Sequence, residues 1–174
     1  MDTKTGATLG RPHPGLLAWL SASQVDYELH EHARTQTARQ TARAEGVDPR
    51  TFAKVVGVRI VGDRDALIVL DATDLLDLSK ARRVLGHETV RLLTETELAT
   101  LAPDCEVGAI PAVGGLFGLP TYADVLIGED PEISFNAGTH DCAVRVDRES
   151  WERATGAIYA DLAVRDELPP AWAR

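Results

Sequence analysis

Hydrophobic and polar residues alternate with a period of two in several short stretches, which is the pattern of a strand with one buried face. Two β-branched runs, AKVVGVRIVG and DALIVLD, flank a turn at residues 62–65 and predict an antiparallel hairpin at the centre of a sheet. In DYELHEH, Tyr27 and Leu29 alternate with charged neighbours, which predicts a half-buried strand. Further strands are predicted at the start of VRLLTETELATLAP and in TYADVLIG, EISFNAG and HDCAVRVD.

Other stretches have apolar residues at helical spacing, with start and stop signals at their ends. PGLLAWLSASQV predicts a short amphipathic helix, and TQTARQTARAEGV predicts a polar surface helix that ends at Gly46. DLSKARRVLGHE predicts a helix between the cap Asp77 and Gly86, and a capping box of Thr94 and Glu97 opens another. ESWERATGAIYADL predicts a closing helix. Because strands and helices are grouped and do not alternate one for one, we expect a mixed α/β fold that is not a Rossmann fold.

The length and composition indicate one globular domain that spans residues 1–174, with loosely ordered tails at 1–12 and 167–174. An apolar fraction of 44% is enough to build a core, and no stretch approaches the length of a membrane span. The first residues, MDTKTGATLGRPHPG, lack the layout of a secretory signal. We therefore expect a cytoplasmic protein that does not associate with a membrane.

The common enzyme and cofactor motifs are absent from the sequence. It contains no GxxxxGK[ST], HExxH or GxSxG, and its glycine spacings do not form a dinucleotide fingerprint. Cys105 and Cys142 lack the paired spacing of a zinc site. We expect no metal and no cofactor, whereas a nucleophilic cysteine stays open at this point.

Charge is distributed unevenly along the chain, whose net charge is −9. Residues 34–59 carry six basic and two acidic side chains, whereas residues 95–170 carry fifteen acidic and four basic ones. Tight binding of DNA or RNA usually requires a broad basic face. The 34–59 segment is therefore either a solvated surface or a local contact for phosphate groups.

Two segments near the middle and the end are candidates for a site. EVGAIPAVGGLFGLP, residues 106–120, is too apolar for a flexible linker and too rich in glycine for a strand, and ordered loops of this kind are often functional. FNAGTHDCAVRV, residues 135–146, interrupts a strand pattern with a small-residue turn, a hydroxyl and an imidazole. That turn is either an ordinary hairpin connection or the rim of a site.

Three stretches in order, FAKVV at 52–56, EVGAIPAVGGLFGLPTYAD at 106–124 and FNAGTH at 135–140, resemble the YbaK family. This family is related to the editing domain inserted in bacterial prolyl-tRNA synthetases. The likeness runs from YELHEHARTQTARQTA, near residue 27, to about residue 155. It implies a curved, largely antiparallel sheet surrounded by helices, and a metal-independent aminoacyl-tRNA deacylase.

The resemblance also implies the site residues. Lys54 occupies the position of a family lysine that recognises the 3′-terminal adenosine, and Gly108, with Ala109, Ile110 and Pro111, corresponds to the loop that binds the aminoacyl group. The family pattern Gly-x-x-x-Pro is imperfect, because Ala112 stands at its fifth position. Backbone N–H groups of such a loop can stabilise an oxyanion without a nucleophilic side chain.

Further residues are candidates, and two of them, His140 and His32, have a structural alternative. His140 is either catalytic or a hairpin residue, and we expect Thr139 or His140 to face the same pocket as Lys54. Asn136 and Gly138 can shape the pocket because both tolerate left-handed backbone. His32, with Thr35, is either a second wall of the pocket or a strand-end residue that caps a helix.

Two functions therefore remain at this stage. The first is hydrolysis of mischarged tRNA that carries a small amino acid such as alanine, cysteine or serine, with weak binding of tRNA through the 34–59 segment and recruitment by a synthetase or elongation factor. The second is a non-catalytic module that binds an amino acid, a nucleotide or an adenylate-like ligand, which the absence of proline at position 112 favours.

Overall fold

The computed structural model describes residues 11–48 and 51–165. The predicted tails therefore lie outside the described residues except for Arg11 and Pro12, and so does Arg50 of the basic segment. Within the described residues the strands, in chain order, are β1 (Tyr27–Glu31), β2 (Ala53–Ile60), β3 (Asp65–Asp71), β4 (Val90–Leu92), β5 (Thr121–Asp124), β6 (Glu132–Asn136), β7 (Cys142–Asp147) and β8 (Ile158–Ala160). The α-helices are α1 (Pro14–Ala22), α2 (Ala38–Glu45), α3 (Leu78–Leu85), α4 (Glu95–Leu101) and α5 (Arg148–Thr155).

The strands form two sheets. One has three strands in the order β1-β7-β6, all antiparallel, and the other has five strands in the order β4-β2-β3-β5-β8. In the larger sheet β4, β2 and β3 are antiparallel, whereas β3, β5 and β8 are parallel. A parallel bridge between Phe52 and Ser134 links the sheets. The predicted mixed α/β class with largely antiparallel strands is confirmed, and the β2–β3 hairpin lies at the centre of the larger sheet as expected.

Local signals set the ends of the helices as the sequence predicted. The Thr37 hydroxyl accepts a hydrogen bond from the Gln40 N–H at 3.1 Å, and α2 ends at Gly46 in left-handed conformation. Asp77 caps α3, and Thr94 forms the capping box that opens α4.

Three details differ from the sequence predictions. Leu29 is 40% exposed, although Tyr27 on the same face of β1 packs against the core. TYADVLIG is a strand only to Asp124, and a 3₁₀ helix follows at Val125–Glu129. The predicted closing helix ends at Thr155, since Gly156 takes a φ of 64°, and the chain then forms β8, which pairs with β5.

The main core lies against the three-stranded sheet and holds the glycine-rich segment in place. Trp151 of α5 and Phe135 of β6 are fully buried there, together with Ala112 and Val113. The Trp151 indole N–H donates to the Ala112 carbonyl at 2.8 Å. This contact fixes the middle of residues 106–120 to the last helix.

In the part of the chain that the structure describes, no helix is both long and apolar enough to cross a membrane.

Candidate functional site

Lys54 of β2 and Gly108 of the glycine-rich segment line one cleft of about 460 Å³. We call this feature the Lys54 cleft; its lining residues are Thr37, Ala38, Arg39, Lys54, Val55, Ala72 and Gly108. The first turn of α2 forms one wall, and the ends of the β2–β3 hairpin form another. The structure therefore brings together two segments that the sequence singled out separately.

Lys54 is a partly buried cation on β2, and its sequence neighbours are largely apolar. Burial lowers the pKa of its ammonium group, the nearby Asp74 carboxylate opposes that shift, and the positive charge of Arg39 adds to it. Among the described residues, no carboxylate lies within ion-pair distance of Lys54. A desolvated lysine without a close partner is a group that an incoming anion or polar ligand can stabilise.

The glycine-rich segment presents its backbone to the cleft at Gly108 and buries the residues that follow. Gly108 has a φ of 86° and is exposed. Ala109, Ile110 and Pro111 are buried, and Ile110 packs with Leu67 and Ala102. The side chains of these three residues therefore do not line the cleft.

The turn at residues 137–141 joins β6 to β7 and lies directly beneath the glycine-rich segment. The Gly138 N–H donates to the Ala109 carbonyl at 2.9 Å, and the Glu106 N–H donates to the Gly138 carbonyl at 2.8 Å. Gly138 has a φ of 98°, and a Cβ there would lie 2.9 Å from the Cβ of His13. The turn is thus a hairpin connection that also supports the segment carrying Gly108.

His140 lies behind Gly108 and is not among the lining residues of the cleft. A Cβ on Gly108 would lie 3.3 Å from Cε1 of His140, so the imidazole packs directly against this glycine. The His140 Nε2 is 2.8 Å from the Val107 carbonyl, which makes Nε2 the protonated nitrogen that donates. Neither His140 nor Thr139 lines the Lys54 cleft, which differs from the placement that we expected for them.

The remaining candidates surround the turn and do not reach the cleft. The Thr35 hydroxyl lies 2.6 Å from that of Thr41 and 3.2 Å from the His140 carbonyl. The Thr41 hydroxyl lies 3.5 Å from the Asn136 side-chain oxygen, and Asn136 is buried. His32 directly follows β1; its side chain is 3% exposed, and its Nδ1 lies 2.7 Å from the Ala33 carbonyl. These contacts fit the structural alternatives, since they hold the start of α2 against the turn.

Sequence reasoning missed two features of the site. Glu106 accepts hydrogen bonds from the Arg34 guanidinium at 3.0 and 2.9 Å and from the His140 N–H at 3.1 Å. Ala72 lines the cleft because β3 ends beside Lys54. Arg34 and Glu106 are 72 residues apart, so no local pattern could connect them.

No group of three or more His, Cys, Asp or Glu side chains is arranged to hold a metal ion within residues 11–48 and 51–165. Cys105 and Cys142 do not form a disulfide. Burial raises the pKa of the Cys105 thiol to about 11 and also raises that of Cys142. Both thiols are therefore poorly suited to act as nucleophiles at neutral pH.

Residues 32–154 match the family model of the aminoacyl-tRNA editing domain, and the chain belongs to this family. This match confirms the resemblance to the YbaK family. No curated protein matches the chain.

Solved structures share the fold over most of the chain. The crystal structure of a candidate trans-editing enzyme for prolyl-tRNA synthetase is 25% identical, with a TM-score of 0.77, and the match covers 89% of this chain and 100% of that one. The crystal structure of hypothetical protein APE2540 is 20% identical, with a TM-score of 0.79, and the match covers 86% of this chain and 99% of that one. These solved structures therefore share the mixed α/β architecture of this chain.

Proposed function

We propose that this protein is a free-standing deacylase that hydrolyses the ester between a wrong amino acid and its tRNA. The observation that carries the proposal is the Lys54 cleft, which combines a partly buried lysine with an exposed glycine backbone. Membership in the editing-domain family supports it, and so does the similarity to a candidate trans-editing enzyme for prolyl-tRNA synthetase.

In the proposed reaction, a water molecule attacks the carbonyl carbon of the aminoacyl ester. The bond between that carbon and the ribose oxygen breaks, the ribose oxygen takes a proton, and the products are the free amino acid and the tRNA. Among the described residues, the Gly108 N–H has no hydrogen-bond acceptor, so it is available to a developing oxyanion. Lys54 positions the 3′-terminal adenosine, and no metal ion takes part.

His140 acts from behind Gly108 in this proposal. Its imidazole donates a hydrogen bond to the Val107 carbonyl and packs against Gly108, so it supports the backbone that faces the substrate. Asn136, Gly138 and Thr139 shape the same support, and His32 and Thr35 anchor the start of α2 beside it. Ala109, Ile110 and Pro111 contribute backbone geometry to the aminoacyl site, since their side chains are buried.

The proposed substrates carry a small amino acid such as alanine, cysteine or serine. Ala38, Ala72 and Gly108 provide at most a methyl group each to the wall of the cleft. Small residues at these three positions leave room for a small side chain, and discrimination by one methylene is worth only about 1–3 kcal/mol. The panel experiment below identifies which of these amino acids is removed.

The proposed setting is the cytoplasm, with aminoacyl-tRNA and not DNA as the nucleic-acid partner. Binding of tRNA by this acidic protein is expected to be weak, because of its net charge of −9. Recruitment by an aminoacyl-tRNA synthetase or an elongation factor would raise the local concentration of substrate.

The alternative is a module that binds an amino acid, a nucleotide or an adenylate-like ligand without hydrolysis, and it rests on Ala112. Ala112 is fully buried in the main core, and its carbonyl accepts the Trp151 N–H. Position 112 therefore does not line the cleft, and the missing proline alters no side chain at the cleft wall. We regard hydrolysis as better supported for this reason.

The decisive experiment is deacylation of a panel of tRNAs charged with alanine, cysteine or serine. We expect wild-type protein to hydrolyse at least one species with undiminished rate in EDTA, and Lys54→Ala to abolish turnover while the circular dichroism spectrum stays unchanged. Lys80→Ala is the matched control, because Lys80 pairs with Asp161 and lies outside the cleft. Saturable binding of a small molecule without any turnover would support the alternative, and full activity of Lys54→Ala would overturn the mechanism.

A further inference from the structure

Ion pairs reduce the number of available cations in the basic segment at residues 34–59. Arg34 is paired with Glu106, and Arg59 is paired with Asp65 and Glu97. Among the described residues of the segment, the cations that have no carboxylate partner are Arg39, Arg43 and Lys54. Of these, Arg39 and Lys54 line the same cleft, whereas Arg43 does not.

Arg39 lines the Lys54 cleft from the first turn of α2. The two charges are close enough for Arg39 to lower the pKa of Lys54. The Arg39 guanidinium makes no hydrogen bond within residues 11–48 and 51–165. Two like charges that line one cleft repel each other; the Asp74 carboxylate offsets this at Lys54 without an ion pair, and an anion between the two cations removes the repulsion.

We propose that Arg39 binds a backbone phosphate of the RNA strand whose 3′ end enters the Lys54 cleft. This inference rests on the proposed function for the identity of the ligand. The aminoacyl end of such a substrate carries an ammonium group, which two cations would repel, so the anion at Arg39 is a phosphodiester. A guanidinium is suited to this role because its planar fork of donors matches the geometry of phosphate oxygens.

The test is the salt dependence of binding of an RNA minihelix that carries no amino acid and ends in single-stranded CCA. Each phosphate that a protein contacts on a single strand contributes about −0.7 to the slope of log K against log salt. We expect Arg39→Gln to weaken binding by about 5- to 10-fold and to reduce the steepness of the slope by about 0.7, the value for one phosphate. Arg39→Lys should keep most of the slope, because the charge is retained.

Arg43→Gln is the matched control. Arg43 lies on the same helix and is exposed without a carboxylate partner, but it does not line the cleft. We expect this variant to keep the wild-type slope. An unchanged slope for Arg39→Gln, an equal loss for both variants, or no measurable binding by the wild-type protein would each overturn the proposal.

Deacylation assays separate this inference from the proposed function. If both hold, Arg39→Gln raises KM for the aminoacyl-tRNA and leaves kcat unchanged, because a phosphate contact is made equally in the ground state and the transition state. If no aminoacyl-tRNA is hydrolysed while the slope of Arg39→Gln still changes, the proposed function fails and the phosphate site stands. If turnover occurs and Arg39→Gln changes neither KM nor slope, the phosphate site fails alone.

Discussion

The guanidinium of Arg34 donates two hydrogen bonds, of 3.0 and 2.9 Å, to the carboxylate of Glu106. The same carboxylate accepts the His140 N–H at 3.1 Å, and the Glu106 N–H donates to the Gly138 carbonyl. Glu106 therefore links the start of the glycine-rich segment to the connection between β1 and α2 and to the hairpin turn. The position of Gly108, two residues further on, depends on this junction.

Replacement of Glu106 by glutamine is expected to lower kcat for deacylation by roughly 10- to 100-fold, since a displacement of about 1 Å at a reacting group has effects of that size. The amide cannot accept both guanidinium hydrogen bonds, so the segment that carries Gly108 loses its anchor. Steady-state kinetics with the preferred aminoacyl-tRNA measure the effect. Glu97→Gln is the control, because Glu97 also accepts guanidinium hydrogen bonds, from Arg59 and Arg91, but does not line the cleft. Equal kcat values for the two variants would show that the Glu106 junction does not position Gly108.

Binding of RNA is expected to weaken with rising pH in a range below the ordinary lysine pKa of about 10.4. The pKa of Lys54 is lowered, chiefly by burial, so its ammonium group loses its proton at a lower pH than a solvated lysine. The charged form, and the binding that depends on it, is present below this pKa and lost above it. The measurement is the Kd of the CCA minihelix as a function of pH, and Lys54→Arg should lack the decrease. Parallel curves for both proteins would assign the decrease to the RNA and not to Lys54.

The free energy of unfolding is expected to fall as the pH rises from about 4 to about 7, because of Asp71. This carboxyl is 6% exposed, and burial, together with the charges of Asp74, Asp130 and Asp124, raises its pKa to about 7. Between these pH values the folded state retains a proton that the unfolded chain has released, so the free energy of unfolding falls until Asp71 of the folded protein ionises near pH 7.

Asp71→Asn removes this ionisation. At pH 8 we expect the variant to be more stable than the wild type by about 1–4 kcal/mol, and at pH 4 we expect little difference. Urea unfolding at the two pH values measures the change. A stability difference that is independent of pH would contradict a raised pKa at this position.

Neither cysteine is expected to take part in catalysis. With a pKa of about 11, only about one Cys105 thiol in ten thousand is ionised at pH 7. Cys105→Ser and Cys142→Ala should both keep kcat within about twofold of the wild type, provided that the folded fraction is unchanged. Loss of turnover in Cys105→Ser with an intact fold would reopen the possibility of a nucleophilic thiol.

Several parts of the structure follow from signals within a few residues. Asp77 and Gly86 bound α3, Thr94 with Glu97 opens α4, and the turn at 62–65 pairs β2 with β3. These signals act through local backbone hydrogen bonds, which is why they can be interpreted without knowledge of the fold. By contrast, β8 was missed, because its pairing with β5 brings together segments that are distant in sequence.

The candidate site likewise has features that short motifs indicate and features that depend on tertiary packing. Short motifs single out Lys54 and Gly108 as candidates, and the structure places both on one cleft. His140 is a candidate as well, but its ring packs behind Gly108 and not in the cleft, because the hairpin turn lies beneath the glycine-rich segment. A sequence pattern identifies the residue type at a position, whereas the side of a loop that the residue occupies depends on packing.

The sequence alone determined the family, the mixed α/β class, most helix boundaries and the central hairpin, since each depends on residue types at fixed local spacing. Only the tertiary structure decided which charges are available to a ligand. Arg34, Arg39 and Arg59 are indistinguishable as basic residues of one segment. Arg34 bonds a carboxylate 72 residues away, and Arg59 bonds carboxylates 6 and 38 residues away. Of the three, Arg39 has no carboxylate partner in the described chain. Electrostatic neutralisation depends on distance in space, and that distance is set by how the two sheets and the helices pack together.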